Sequence, residues 1–279
     1  VISGRTRIIA HLGVPTETFK APLIYNPWFE ARGIDAVVVP MGVEVADYPD
    51  FLRLLFRLRN IAGALITMPH KLTTAALLDE ASTAVEVCGA CNAVKRDGAG
   101  RLVGDMFDGE GFVRGVRAKG RVIEGASALV VGAGGVGSAI AAALAGAGAT
   151  RIGLFDIGQA AVDRLAIRLA RHFPDLAIAT GSADPLDFDI VVNATPLGTA
   201  DGDPLPVDVA RVAPATLVGD VVMRADGGET DLIAAASVRG CATQSGTDML
   251  FEQIPAYLEF FGFPAATPAE LRVHARLPV

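Results

Sequence analysis

The run Leu129-Val130-Val131-Gly132-Ala133-Gly134-Gly135-Val136-Gly137-Ser138-Ala139 leaves this chain few folds to choose from. A short apolar segment stops at a glycine, turns through more glycines and enters an alanine-rich segment. That is the order of strand, turn and helix in a dinucleotide-binding unit. Gly132 permits the tight turn, Gly134 lets backbone approach a pyrophosphate, and Gly137 lets helix and strand pack closely. The helix start then offers free N–H groups and partial positive charge to phosphates. A G-x-G-x-x-G alone is weak evidence; here the flanking segments have the character it requires. The stretch 125–150 carries no charge and is long enough to span a bilayer. Its glycines break it into strand and helix, and a βα unit covered by protein on both faces has the same hydropathy.

Around this unit, apolar strand-like runs alternate with amphipathic segments, the pattern of an α/β fold with mainly parallel sheets. Strands are expected over 6–11, 35–41 and 64–67, with helices over 22–32 and 48–59. The second of these helices should bury Phe51, Leu54, Leu55 and Leu58. Residues 91–95 and 101–104 read as a hairpin around Asp97-Gly98-Ala99-Gly100. After the glycine turn, strands are expected at 151–155, 189–192 and 216–222. Helices should run to about Arg171 and over 229–236, 248–260 and 268–274. The length of 279 residues suits two domains. The expected layout is an α/β substrate domain of residues 1–110 with 246–279, and a Rossmann domain of residues 111–245, the junctions falling near Gly111 and Ser245. Ligands are expected in a cleft between them.

A net charge of -7 argues against nucleic acid or an anionic membrane as partner. Three cysteines fit a reducing compartment, and with no long apolar run after Arg5 and Arg7 the expected location is the cytoplasm. Cys88 and Cys91 form a C-x-x-C, but the one further cysteine, Cys241, is distant, so no metal site is expected. An exposed sheet edge in the first domain would support a homodimer.

Six segments in this order carry a resemblance: Ile66-Thr67-Met68-Pro69-His70-Lys71; Gly89-Ala90-Cys91-Asn92-Ala93-Val94; Gly104-Asp105-Met106-Phe107-Asp108-Gly109-Glu110-Gly111-Phe112; the glycine turn; Asn193 to Gly198; and Gly246-Thr247-Asp248-Met249-Leu250-Phe251-Glu252-Gln253. The chain resembles the shikimate/quinate dehydrogenase family over nearly its whole length. The resemblance implies that Lys71 and Asp108 are catalytic and face the substrate across the cleft. Oxidising an alcohol moves a hydride to a nicotinamide and a proton to a positioned side chain. A protonated amine suits the reductive direction, where it donates to the forming alkoxide. Thr67, Asn92 and Gln253 match positions that hydrogen-bond a polyhydroxylated ring. The cofactor is implied to lie against Gly132, Ala133, Gly134, Gly135, Val136, Gly137, Asp156, Asn193, Thr195, Pro196, Leu197, Val221 and Gly246.

The departures narrow the expectation. Phe19 and Ala21 occupy the Ser-x-Ser positions that hold a substrate carboxylate in many members. Lys20 and Thr18 are the neighbours that would stand in. Met223 replaces a tyrosine, Leu65 an asparagine, and Met106 and Phe107 an asparagine and a threonine. The substrate end is therefore expected to be less polar. Asp156 follows the next apolar run at about the 20-residue distance where an acidic residue meets the ribose hydroxyls of NAD and repels the phosphate of NADP. NADP-using members resemble one another in an Asn-Arg-Ser/Thr loop; here it is Asp156-Ile157-Gly158-Gln159. The expected activity is NAD-dependent interconversion of a ring hydroxyl and ketone on shikimate/3-dehydroshikimate or a shikimate-like cyclohexene acid, with shikimate a poor substrate. The alternatives are a non-catalytic NAD-binding or ligand-sensing protein on the same fold, or another two-domain Rossmann dehydrogenase, such as one acting on folate, which the Asn92 and Asp108 motifs disfavour.

Overall fold

The computed structural model describes residues 2–224 and 227–277. They form two compact units. One runs to Phe107 and resumes at Ile254; the other is Asp108–Gln253.

The first unit is built on β1 (Arg7–Gly13), α1 (Ala21–Ala31), β2 (Ala36–Gly42), α2 (Tyr48–Leu55), β3 (Ile61–Ile66), α3 (Lys71–Ala75), β4 (Glu80–Ala81), α4 (Thr83–Cys88), β5 (Ala93–Arg96) and β6 (Leu102–Asp105). Its sheet has the order β2-β1-β3-β5-β6-β4. The β1 strand is parallel to both neighbours, with His11 opposite Pro40 and Leu65. The β5–β6 hairpin is antiparallel, and its turn is held by Asp97, which accepts the backbone N–H groups of Ala99 and Arg101 at 2.9 Å each. The α2 helix is shorter than its apolar spacing predicts. It stops at Leu55, and its buried face is Tyr48, Leu52 and Leu55, while Leu54 and Leu58 are exposed. The early stop turns the following residues off the helical face on which Leu58 would have joined the core.

The second unit holds α5 (Asp108–Ala118), β7 (Ser127–Val131), α6 (Gly135–Gly146), β8 (Arg151–Phe155), α7 (Gln159–His172), β9 (Ala177–Thr180), β10 (Ile190–Asn193), β11 (Leu217–Asp220), α8 (Asp231–Val238) and β12 (Ala242–Gln244). Then come α9 (Gly246–Phe260), which runs from this unit into the first, and α10 (Pro268–His274). All pairings of the second sheet are parallel, in the order β12-β11-β10-β7-β8-β9. This is the doubly wound order, whose switch point lies between β7 and β10. Its central strands β7, β10 and β11 are almost wholly buried, as a sheet covered on both faces requires.

Gly111, read from sequence as a junction, lies inside α5. The glycines of this helix are its contact surface. A Cβ on Gly109 would come 2.1 Å from the Ala139 carbonyl oxygen of α6, and one on Gly111 2.6 Å from the Gln253 Cβ. None of the described helices is long and apolar enough to cross a membrane.

Candidate active site

In the first unit, the candidate residues gather where β1 and β3 end. Gly13 lies beside Thr67; a Cβ there would meet Thr67 Cγ2 at 2.4 Å and Phe19 Cζ at 3.0 Å. The Thr67 backbone N–H donates to the Leu12 carbonyl at 2.9 Å, extending the β1–β3 pairing by one residue. Phe19 stacks on His11 with ring centroids 4.0 Å apart. Ala21 is the first residue of α1, buried and without any polar atom to offer from its side chain.

Lys71 begins α3, and its backbone is fixed from two sides. Its carbonyl accepts the Cys91 N–H at 2.9 Å. The preceding His70 is buried, lies flat on Tyr48 at 3.9 Å, and places Nε2 2.9 Å from the Val43 carbonyl oxygen. The Tyr48 hydroxyl lies 2.6 Å from the Thr74 hydroxyl, which donates to the His70 carbonyl. Burial pushes the Tyr48 hydroxyl well above its ordinary range and holds His70 below its own. This neutral, buried assembly makes a rigid base for the amine of Lys71.

Asn92 is buried, and its side-chain oxygen accepts the Phe107 N–H at 2.9 Å, tying the end of the hairpin to the residue before Asp108. Met106 and Phe107 are buried; Phe107 packs edge-on against Tyr257 and Phe260. Leu65 is also buried. These three departures thus enlarge the apolar interior, while Phe19 alone of the apolar replacements in this unit keeps a half-exposed face. Cys88 and Cys91 are buried thiols outside any disulfide, and burial pushes Cys91 up to about 12. Among the described residues no three His, Cys, Asp or Glu are grouped to hold a metal.

In the second unit, Asp108 starts α5 and is buried. Gln253 is buried too, and its side-chain oxygen has no hydrogen-bond partner among the described residues. The glycine turn divides its labour sharply. Gly132 sits at φ +108°, where a side chain is strained, and a Cβ on Gly137 would lie 1.9 Å from the Gly132 carbonyl oxygen. Gly134 has ordinary extended backbone, is exposed, and a Cβ there would meet nothing within 4 Å. The fold demands the outer two glycines; at Gly134 the room is left for something outside the chain, as a pyrophosphate on the helix start requires. Ala133 is buried, and Gly135 and Val136, half-buried, form the first turn of α6.

Asp156 follows β8. One carboxylate oxygen accepts the Ala133 N–H at 2.7 Å and the other the Gly158 N–H at 2.8 Å. It is not the cap of α7, which is Gly158. The carboxylate locks the loop after β8 onto the glycine turn, and lone pairs remain for further donors.

Asn193 and Asp220 face each other across β10 and β11. The Asn193 amide donates to Asp220 at 3.0 Å and to the Leu197 carbonyl at 2.9 Å, while its oxygen accepts from the Thr195 N–H and hydroxyl. Asp220 also accepts from Thr230 at 2.6 Å and from the Val222 N–H at 3.0 Å. Burial raises its carboxyl against the pull of those bonds. Asn193 therefore shapes the loop Thr195-Pro196-Leu197 through internal bonds, and Pro196 is the exposed member of that loop. Gly246 is packed so that a Cβ would meet the Val221 carbonyl oxygen at 2.5 Å and Met223 Cγ at 2.9 Å. Asp220 and His11 were not singled out from sequence. The available signal was a polar residue inside an apolar strand, Leu-Val-Gly-Asp and Ile-Ile-Ala-His.

A doubly wound parallel sheet with a glycine turn at its switch point and an acidic residue after the next strand defines a dinucleotide-binding protein. The comparisons agree and go further. The sequence model of the shikimate dehydrogenase substrate binding domain matches residues 12–94. The shikimate dehydrogenase (NADP(+)) of Acidiphilium cryptum is 35% identical over 265 residues, spanning 94% of this chain and 93% of its own. The shikimate 5-dehydrogenase of Listeria monocytogenes, solved with shikimate and NAD, is similar with a TM-score of 0.89 at 25% identity, covering 98% of this chain and 97% of that one. The ligand-free 5-ketofructose reductase of Gluconobacter sp. strain CHM43 shares the fold, with a TM-score of 0.88 at 23% identity and coverage of 98% and 99%. The chain belongs to the shikimate dehydrogenase family; it is an oxidoreductase with a nicotinamide dinucleotide as cofactor.

Proposed function

We propose that this protein interconverts a ring alcohol and the corresponding ketone on shikimate or a shikimate-like cyclohexene carboxylic acid, prefers NAD, and uses shikimate itself weakly. The observation that carries the reading is Lys71, whose backbone is braced by Cys91 and by the buried His70–Tyr48–Thr74 assembly. An exposed surface lysine needs no such support; a proton-transfer group does.

A bound nicotinamide supplies the hydride acceptor or donor. In the reductive direction Lys71 gives a proton from Nζ to the alkoxide oxygen as it forms; in the oxidative direction it takes that proton from the hydroxyl. The role of Asp108 in this reading is to accept from a substrate hydroxyl. Thr67 and Asn92 orient the ring, and the unpartnered oxygen of Gln253 accepts from one of its hydroxyls. Gly132 to Gly137 receive the pyrophosphate.

The preference for NAD rests on Asp156. An ionised carboxylate accepts from ribose hydroxyls but repels a phosphate placed on them. Its position is firm, since both oxygens are tied to backbone N–H groups. The Acidiphilium relative is named for NADP(+) and the Listeria one was solved with NAD, so the cofactor is settled by assay. Initial rates with a panel of cyclic hydroxy acids, each run with NAD and NADP, test both parts. A wild type that turns over no member overturns the activity; equal or better kcat/KM with NADP overturns the preference.

A further inference from the structure

We infer that His11 is a substrate-binding residue: its imidazole, held by Phe19 on the face of β1 that carries Gly13, beside Thr67, exchanges a hydrogen bond with a hydroxyl of the bound ring alcohol. The inference deepens the proposed function and rests on it.

His11 is two residues before Gly13, so strand alternation puts both on one face of the sheet. That face is marked by the atoms a Cβ on Gly13 would touch, Thr67 and Phe19. The Phe19 ring, 4.0 Å from the imidazole, belongs to the same patch. His11 is only 9% exposed, and Nδ1 is buried with no hydrogen-bond partner among the described residues. Burying an imidazole this way costs free energy unless a partner arrives. His70, the other buried histidine of this unit, shows the contrast: its Nε2 has the Val43 carbonyl.

The ring's charge state fits a hydroxyl. Burial and then the nearby positive charge of Lys71 hold His11 at about 4, so it is neutral at pH 7. A neutral imidazole presents one donor and one acceptor, which matches a hydroxyl, whereas an imidazolium would favour a carboxylate. Phe19 removes a polar side chain from the patch and fixes the imidazole's tilt, so this wall selects a hydroxyl beside an apolar edge.

The test compares wild type, His11→Phe and His11→Asn in rates over the panel of cyclic hydroxy acids, beginning with shikimate, and in thermal unfolding without ligand. His11→Phe keeps the aromatic stack and drops the hydrogen bond. It is expected to unfold at or above the wild-type temperature and to raise KM for the substrate used by about 10-fold or more, with a smaller change in kcat; one lost neutral hydrogen bond is worth roughly that factor. His11→Asn, which retains a donor and an acceptor, is expected to recover part of the loss. Unchanged KM in both variants overturns the inference, as does a fall in unfolding temperature with KM unaltered. A wild type inert on the whole panel removes the parent reading and this inference together; an active wild type with an unaffected His11→Phe removes this inference alone.

Discussion

Replacing Lys71 by alanine removes an amine and leaves its scaffold standing, because His70, Tyr48, Thr74 and Cys91 hold the backbone of α3 without it. Lys71→Ala is therefore expected to keep its unfolding temperature and its NAD affinity while losing about 10²-fold or more in turnover, the scale of general acid–base work. Asp108→Asn, which preserves shape at a buried helix start, is expected to lose turnover to a similar degree. Near-normal rates in both, with a substrate the wild type uses, would refute the assignment. At Phe19 and Ala21 the argument concerns affinity. Hydrogen bonds to a charged group are worth roughly 1.5–3 kcal/mol each, so two missing hydroxyls amount to about 10²-fold or more in shikimate kcat/KM. Phe19→Ser/Ala21→Ser is expected to improve shikimate use through KM, even though it also unstacks His11. If wild type matches serine-bearing relatives on shikimate in parallel assays, another group holds the carboxylate. The glycine turn, and the place of Lys71 just beyond an apolar strand, were legible in the sequence because short-range motifs carry them. The internal duty of Asn193 was not, because its partner Asp220 and that residue's partner Thr230 reach it only through the pairing of β10 with β11 and the approach of α8. The burial of Gln253 was not legible, because helical spacing alone does not say which face of α9 the glycines of α5 will cover.

At the scale of elements, the glycine turn yields a paired prediction. A methyl on Gly137 would sit 1.9 Å from a backbone oxygen, which no side-chain motion relieves. Gly137→Ala is expected to destabilise the second unit by about 3 kcal/mol or more, in the range of severe overpacking. Gly134→Ala meets no protein atom within 4 Å, so its unfolding temperature is expected to stay near wild type while NAD affinity falls about 10-fold or more. Calorimetry and NAD titration of both variants check this. Loss of stability in Gly134→Ala with unchanged NAD binding would reverse the roles given to the two glycines. The same logic explains which elements were readable. Strands of continuous apolar residues such as β7 and β10 announce themselves. The edge strands do not: β9 is mostly exposed and β12 has three residues, Ala-Thr-Gln. Helix α5 carries Gly109, Gly111 and Gly115, each costing roughly 1 kcal/mol of helix propensity relative to alanine. Its amphipathic signal was hidden because glycine is what the contact needs: the Gly115 position is filled by Gln244, and the Gly109 position by the backbone of α6.

For the whole molecule, acid stability is set by which buried groups refuse or retain protons. Burial holds His11 at about 4 in the folded chain, against an ordinary 6.5. Between those values the unfolded chain binds a proton that the folded one does not, so unfolding free energy must fall as pH drops from about 6.5 to about 4. At 1.36 kcal/mol per pKa unit the loss from this residue is about 3 kcal/mol at most. His70, held low by burial, acts in the same direction. Asp220 opposes them: its raised carboxyl takes up a proton in the folded state first, which favours folding as pH falls from its raised value to the ordinary 3.8. The lowered carboxylates of Asp97, Asp184, Asp203 and Glu270, none of them buried, lose their contribution only near and below their ordinary range. The decline should thus begin above pH 6, earlier than carboxylates alone would produce. Trp28, the one tryptophan and buried in the same unit as His11, reports on that unit directly. Urea unfolding followed by its fluorescence between pH 7 and pH 4 is expected to show stability falling with pH in wild type and a visibly flatter line in His11→Phe, which has no proton to exclude. Parallel lines for the two proteins would mean that His11 is as accessible to protons in the folded chain as in the unfolded one, and the buried neutral imidazole would have to be abandoned.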